Sequence, residues 1–166
     1  GLYDLPYTIL RYGIPYGPRA RDGAVIPIFV SKALNGEPLT LAGDGAQFRQ
    51  FVYVEDLAAG NVLALKSIAA NKIYNLDGTE KVSIKQIAES TRKLVGEVEI
   101  EYVPGRPGDF SGKEISSELA RRELGWVPNV NFEEGLQRYI EWFKHRRDKN
   151  ATEWGQLDDL LREAAG

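Results

Sequence analysis

Two arginines are the residues best suited to chemistry in this chain, Arg49 and Arg106. Arg49 stands in segment 43–51, GDGAQFRQF, where a glycine-led loop runs toward an apolar strand. A guanidinium is planar and always charged, so it can grip two phosphate oxygens at once. The same side chain would serve equally well in a surface ion pair of little energetic weight. Arg106 shares segment 104–110, PGRPGDF, with Asp109. The prolines and glycines make this a stiff, tightly turned loop that can hold a side chain toward a ligand. Asp109 is an acceptor-only group, and it can also close a plain turn on nearby backbone amides. A third candidate is the helix start Ala24, Val25, Ile26 and Pro27, because helix starts leave free backbone amides that can meet an anion or a base edge. It reads as readily as an ordinary helix start carrying core residues. A fourth is the strand end at Tyr12 and Pro15, since ligands of α/β sheets sit beyond the carboxyl ends of strands.

Composition removes several other chemistries. The chain has no cysteine, so it has neither disulfides nor thiolate catalysis. Its single histidine, His145, cannot build a histidine metal cluster or a Ser-His-Asp triad. No metal site is expected. A net charge of −3 argues against general nucleic-acid binding. No apolar run is long enough to span a membrane, and no secretory signal pattern opens the chain. A cytoplasmic protein is the expectation. At 166 residues the chain can bury one real core. It contains no methionine, which leads us to expect a natural beginning upstream of Gly1.

The elements that must position these residues alternate between strand and helix. Residues 7–12, YTILRY, read as a strand, and Pro15 with Gly17-Pro18 turns it into a loop. Ile26, Phe29, Val30, Ala33 and Leu34 recur at helical spacing, with Gly36 as the stop. Residues 39–41 and 51–54 read as short strands around the GDG turn. Asp56 is placed to cap a following helix through about Lys66. Residues 73–76 read as a strand ending at Asp77-Gly78. Ser83 and Gln86 form a capping pair for an amphipathic helix that ends at Gly96. Val98, Ile100 and Tyr102 alternate with glutamates, the period of a half-wet strand. Ser116 opens a helix to Leu124, and Asn131 opens another carrying Phe132, Leu136, Tyr139, Ile140 and Phe143. The chain divides into 1–145 and a tail, 146–166, read as a polar linker and a last amphipathic helix. The class is α/β. Strands 7–12 and 73–76 are apolar on both faces, as in a parallel sheet covered on both sides. The chain has few strands for such a sheet, so exposed sheet surface and self-association are expected.

Taken together, LRYGIPYGPR at 10–19, GDGAQFRQFVYVEDLAA at 43–59 and GRPGDF at 105–110 resemble the extended short-chain dehydrogenase/reductases. These are the NAD-dependent nucleotide-sugar epimerases and dehydratases, and the UDP-glucose 4-epimerases resemble it most. The resemblance covers about Leu5 to Phe143. It implies a Rossmann-like α/β fold of which this chain is the C-terminal, substrate-binding portion, without the N-terminal NAD-binding half. It implies that Arg49 and Arg106 meet the pyrophosphate of a UDP-sugar, that Asp109 lies near the ribose, and that Ala24, Val25, Ile26 and Pro27 pass the base. Tyr12 and Pro15 would pass beside the nicotinamide of NAD. Ile14 stands where the family carries an asparagine, and Gln50 where it carries an aspartate, which touches sugar preference more than membership.

The family's glycine-rich NAD turn and its catalytic Tyr-x-x-x-Lys pair are not in this sequence, and no tyrosine has lysine four residues on. No catalytic residue is therefore assigned. NAD would belong to the full-length parent, and the missing N-terminal half would be a partner. Two other readings stay open. One is a standalone, non-catalytic nucleotide-binding or protein-interaction module. The other is a reductase of this fold acting on a small non-nucleotide substrate.

Overall fold

Short β-branched and aromatic runs separated by glycine turns, followed by amphipathic stretches, fold as that pattern dictates. The computed structural model describes residues 4–105, 108 and 111–165, with side chains described as far as residue 148. The strands are β1 (Thr8–Tyr12), β2 (Ile14–Tyr16), β3 (Leu39–Ala42), β4 (Phe48–Tyr53), β5 (Lys72–Leu76), β6 (Lys81–Ser83) and β7 (Ile100–Val103). The helices are α1 (Val25–Leu34), α2 (Val54–Leu63), α3 (Ile84–Val95), α4 (Glu118–Leu124) and α5 (Phe132–Ala165).

β1 pairs parallel with β5, β2 parallel with β4, and β3 parallel with β7, while β6 joins β4 antiparallel. Two apolar clusters result. The larger gathers Val30, Leu39, Leu41, Val82, Ile87, Leu136 and Tyr139, where α1, α3 and α5 meet around β3 and β4. The smaller gathers Val52, Leu57, Tyr74, Leu76, Leu124 and Trp126 between α2, α4 and β5. Trp126 is fully buried, and its indole N–H donates to the Asp56 carbonyl at 2.8 Å. Gly60 leaves the space for it, since a Cβ there would lie 3.0 Å from the indole nitrogen.

Several expected boundaries shift. The strand after the GDG turn begins at Phe48 rather than 51, so Arg49 lies within β4, paired to Val82, and not in the loop. Asp56 does not cap α2. It lies in the first turn, and its carboxylate accepts the Val130 N–H at 3.1 Å. α2 ends at Leu63, followed by a 3-10 turn at Ser67–Ala69, where a helix to about Lys66 is expected. α4 starts at Glu118, with Ser117 rather than Ser116 in the cap position. No polar linker interrupts the chain after 145. The backbone runs as one helix, α5, from Phe132 to Ala165. Its start matches the expectation, because Asn131 Oδ1 accepts the Glu134 N–H at 2.9 Å. Ser83 likewise caps α3 through the Gln86 N–H at 3.0 Å.

The β1–β5 pair is apolar on both faces but covered on one. Leu10, Tyr74 and Leu76 pack into the smaller cluster. On the other face Ile9 and Ile73, in register with each other, stay 43% and 40% exposed. Among the described residues, no helix is long and apolar enough to cross a membrane.

Candidate functional site

The GDG turn is built by two backbone positions that side chains disfavour. Gly43 and Gly45 have φ of +65° and +70°, and Asp44 Oδ1 closes the turn by accepting the Ala46 N–H at 2.9 Å. The first amides of α3 hold it down, with Lys85 N–H donating to the Gly45 carbonyl and Ile84 N–H to the Gln47 carbonyl. The turn thus feeds β4 at a fixed angle. Because strand side chains alternate, Arg49 and Phe51 face one way, and Gln50 and Val52 the other.

On its face, half-buried Arg49 lines a cavity of about 180 Å³. The other walls include Pro15, Tyr16, Ala24, Val25, Ile26 and Pro27. Arg49 Nη1 donates to the Phe48 carbonyl at 2.7 Å, which fixes the plane of the guanidinium. The α1 start beside it has no side-chain cap at Ala24. The Ala24 N–H donates to the Arg21 carbonyl and Pro27 has no N–H, which leaves the Val25 and Ile26 amides at this helix end. An adjoining cavity of about 400 Å³ shares Pro15, Tyr16 and Ala24 and adds Arg19 and Arg21. Arg19 holds φ of +66°, unusual for a side chain with a Cβ. Their loop carries no period, so nothing in the sequence marks either arginine. The Gly17 φ of +126° is what turns that loop under the cavity.

The floor of the site is aromatic. Tyr16 is buried, its ring lies edge-on to Phe51 and Tyr53, and its hydroxyl donates toward the carbonyls of Asn131 and Phe132 at 3.3 Å. Burial, with Glu80 nearby, pushes its phenol far above the ordinary value, so it stays neutral.

The GDG turn before β4 meets the flanks of the PGRPGDF loop. Gly43 N–H donates to the Val103 carbonyl, and a Cβ on Gly105 would come 3.4 Å from the Gly43 Cα. On the far side, Phe48 N–H donates to the Ser111 carbonyl at 2.9 Å. Gly105 and Ser111, which bracket the PGRPGDF loop, also border a cavity of about 350 Å³ with Gly43, Asp44 and Gln47. Arg106 and Asp109 themselves lie outside the described residues. The structure therefore brings Arg49, Ala24, Val25, Ile26, Pro27 and Pro15 to one cavity. It does not bring Tyr12 there: that hydroxyl donates to Asn61 Oδ1 on α2 at 2.7 Å. Among the described residues, no group of three or more His, Cys, Asp or Glu side chains could hold a metal ion.

One buried carboxylate was not singled out from the sequence. Asp77 directly follows β5 and is 3% exposed, and its Oδ1 accepts the Gly78 N–H at 2.9 Å. Burial raises its carboxyl above the ordinary range, offset in part by the Gly78 amide.

Comparison with known proteins follows the same outline. Residues 1–77 match the NAD dependent epimerase/dehydratase family. A UDP-N-acetyl-alpha-D-glucosaminuronate decarboxylase of Bacillus cytotoxicus is 34% identical over 153 residues, covering 86% of this chain and 48% of that protein. The crystal structure of a UDP-glucose 4-epimerase with UDP-glucose from Thermotoga maritima is similar with a TM-score of 0.81 at 33% identity. That match covers 87% of this chain and 48% of the epimerase. A UDP-glucuronic acid 4-epimerase of Bacillus cereus, in complex with UDP-glucuronic acid and NAD, matches with a TM-score of 0.78 at 29% identity. It covers 86% of this chain and 46% of that one. The chain thus has the α/β, Rossmann-like fold of these enzymes, and it spans about a quarter to a half of the curated relatives it matches.

Proposed function

We propose that this chain is a member of the NAD-dependent epimerase/dehydratase family and forms its substrate-binding portion, of the UDP-glucose 4-epimerase type. One observation carries the reading. Arg49 and the uncapped start of α1 line the same cavity, so a fixed positive charge and two backbone amides, those of Val25 and Ile26, lie beside one small volume. Both favour an anion, and the guanidinium favours a phosphate with two oxygens to offer. The apolar walls at Val25, Ile26 and Pro27 suit the flat base of a nucleotide. Arg106 and Asp109, in a loop whose flanks touch the GDG turn, are assigned to the pyrophosphate and the ribose. Relatives solved with UDP-glucose and with UDP-glucuronic acid support a nucleotide-sugar as the ligand class.

In the parent enzyme, bound NAD supplies the hydride acceptor. Pro15, the middle residue of β2 and bordering both cavities, is the residue of this chain that fits against the nicotinamide. Tyr12, turned to Asn61, fits less well. The work of this portion is to bind and orient. Affinity for the remote nucleotide diphosphate holds the sugar in place, and that binding energy is available to the chemistry at the sugar carbon. The choice among epimerisation, dehydration and decarboxylation lies with residues around the sugar. The bare Ile9–Ile73 face weighs against the standalone module, which should cover its own apolar surface.

Titration calorimetry with UDP tests this. The wild-type chain binds UDP, and Arg49→Ala weakens binding about tenfold to a hundredfold, the scale of one lost charge-assisted contact. Equal affinity of the two proteins would overturn the role of Arg49. Absence of UDP binding by the wild-type chain would overturn the reading as a whole.

A further inference from the structure

Gln50 stands beside Arg49 on β4 but faces the opposite way, and it is 6% exposed. Both ends of its amide are used. Nε2 donates to the Gly78 carbonyl at 2.7 Å, and Oε1 accepts the Ile115 N–H at 2.7 Å. Gly78 is held in contact with β4, because a Cβ there would lie 1.9 Å from the Phe51 carbonyl oxygen. Ile115 belongs to the strap 111–117, which continues from the PGRPGDF loop. That strap is laced across the ends of β4 and β5 at several points. Ser111 accepts from Phe48 N–H, Asn75 Nδ2 donates to the Ser116 carbonyl at 3.1 Å, and Asp77 N–H donates to Ser117 Oγ at 2.9 Å. Gly112 fits only because it has no Cβ, which would come 2.7 Å from the Phe48 ring.

We infer that Gln50 is a positioning residue for the proposed nucleotide-diphosphate site. It clamps the strap 111–117 and the Gly78 turn onto the strand that carries Arg49, and so holds that strand in its register. The inference rests on the reading above. Among the described residues, Gln50 is the side chain that ties β4 to both the Gly78 turn and the strap. A buried amide can do this because it is donor and acceptor at once. A carboxylate can accept from Ile115 N–H but has nothing to give the Gly78 carbonyl. A protonated carboxyl regains both bonds.

That difference supplies the test. UDP affinity of the full 166-residue chain is measured by calorimetry for wild type, Gln50→Glu and Gln50→Met across acid to alkaline pH. Each is held well below its own melting temperature, and each value is expressed relative to wild type at the same pH. Gln50→Met fills a similar volume but lacks both bonds, so it should bind roughly tenfold more weakly at every pH. Gln50→Glu should match that loss at alkaline pH and recover toward wild type as its carboxyl is protonated. A merely structural role would lower melting temperature without a pH-dependent affinity ratio. Wild-type binding with Gln50→Glu indistinguishable at alkaline pH overturns the inference and leaves the nucleotide reading standing. No UDP binding by wild type overturns both.

Discussion

At the scale of single residues, Asp77 is a carboxyl held where burial disfavours its charge. It is a buried carboxyl whose Oδ1 accepts the Gly78 N–H. Its folded-state pKa is raised, chiefly by burial. The folded chain then binds the Asp77 proton more tightly than the unfolded chain does. This group's effect on stability is most favourable below the ordinary carboxylate value and declines as pH rises through the raised one. Asp77→Asn keeps an acceptor for the Gly78 N–H and removes the charge. The variant should melt a few degrees above wild type at neutral pH, with the gap closing toward about pH 4. Scanning calorimetry across that interval checks it. A lower melting temperature for Asp77→Asn at neutral pH would mean the carboxylate has a stabilising partner.

At the scale of elements, α3 carries a fault that its sequence does not announce. Thr91 is fully buried on the face that packs into the core, and its hydroxyl has no hydrogen-bond partner among the described residues. An unpaired buried hydroxyl costs on the order of 1–3 kcal/mol. Thr91→Val keeps the branched shape and removes the hydroxyl, so it should stabilise the chain by about 1 kcal/mol in urea titration. A loss of stability would mean the hydroxyl is paired. The same helix shows what the sequence makes legible. Its Ser83 cap, apolar stripe and Gly96 end are local signals, and each is realised where expected. β2 and β6 were not legible, because three residues give no period. The start of β4 is not legible for a different reason. Phe48, Arg49 and Gln50 are a strand only because β6 pairs with them, and Gln50 is buried only because Gly78 and Ile115 accept and donate to it. Those partners lie 28 and 65 residues away, beyond any pattern read along the chain. The candidate site divides likewise. Arg49 and the α1 start were visible as residue types, while Arg19, Arg21 and Asp77 come to their places through tertiary folding.

At the scale of the molecule, the uneven covering of the β1–β5 pair has a physical consequence. A parallel pair is ordinarily packed on both faces, since each strand is apolar throughout. Here one face holds Leu10, Tyr74 and Leu76 against α2 and α4, and the other leaves Ile9 and Ile73 in water. Leu5 and Tyr7, 74% and 54% exposed, extend the bare surface toward the start of the chain. Among the described residues, β1 pairs with β5 alone, so one edge of the strand is also open. An open edge beside an apolar face invites a second copy to add to it. The isolated chain should therefore self-associate, with a mass by light scattering that climbs with concentration. Ile9→Lys puts a charge at the centre of the bare face, where the side chain is already solvated and its removal leaves the clusters intact. The variant should scatter as a monomer at concentrations where wild type does not, while keeping its affinity for UDP, because Ile9 lies outside the Arg49 cavity. Wild type that stays monomeric at high concentration would show that the face is covered in a way the β1–β5 pairing does not require.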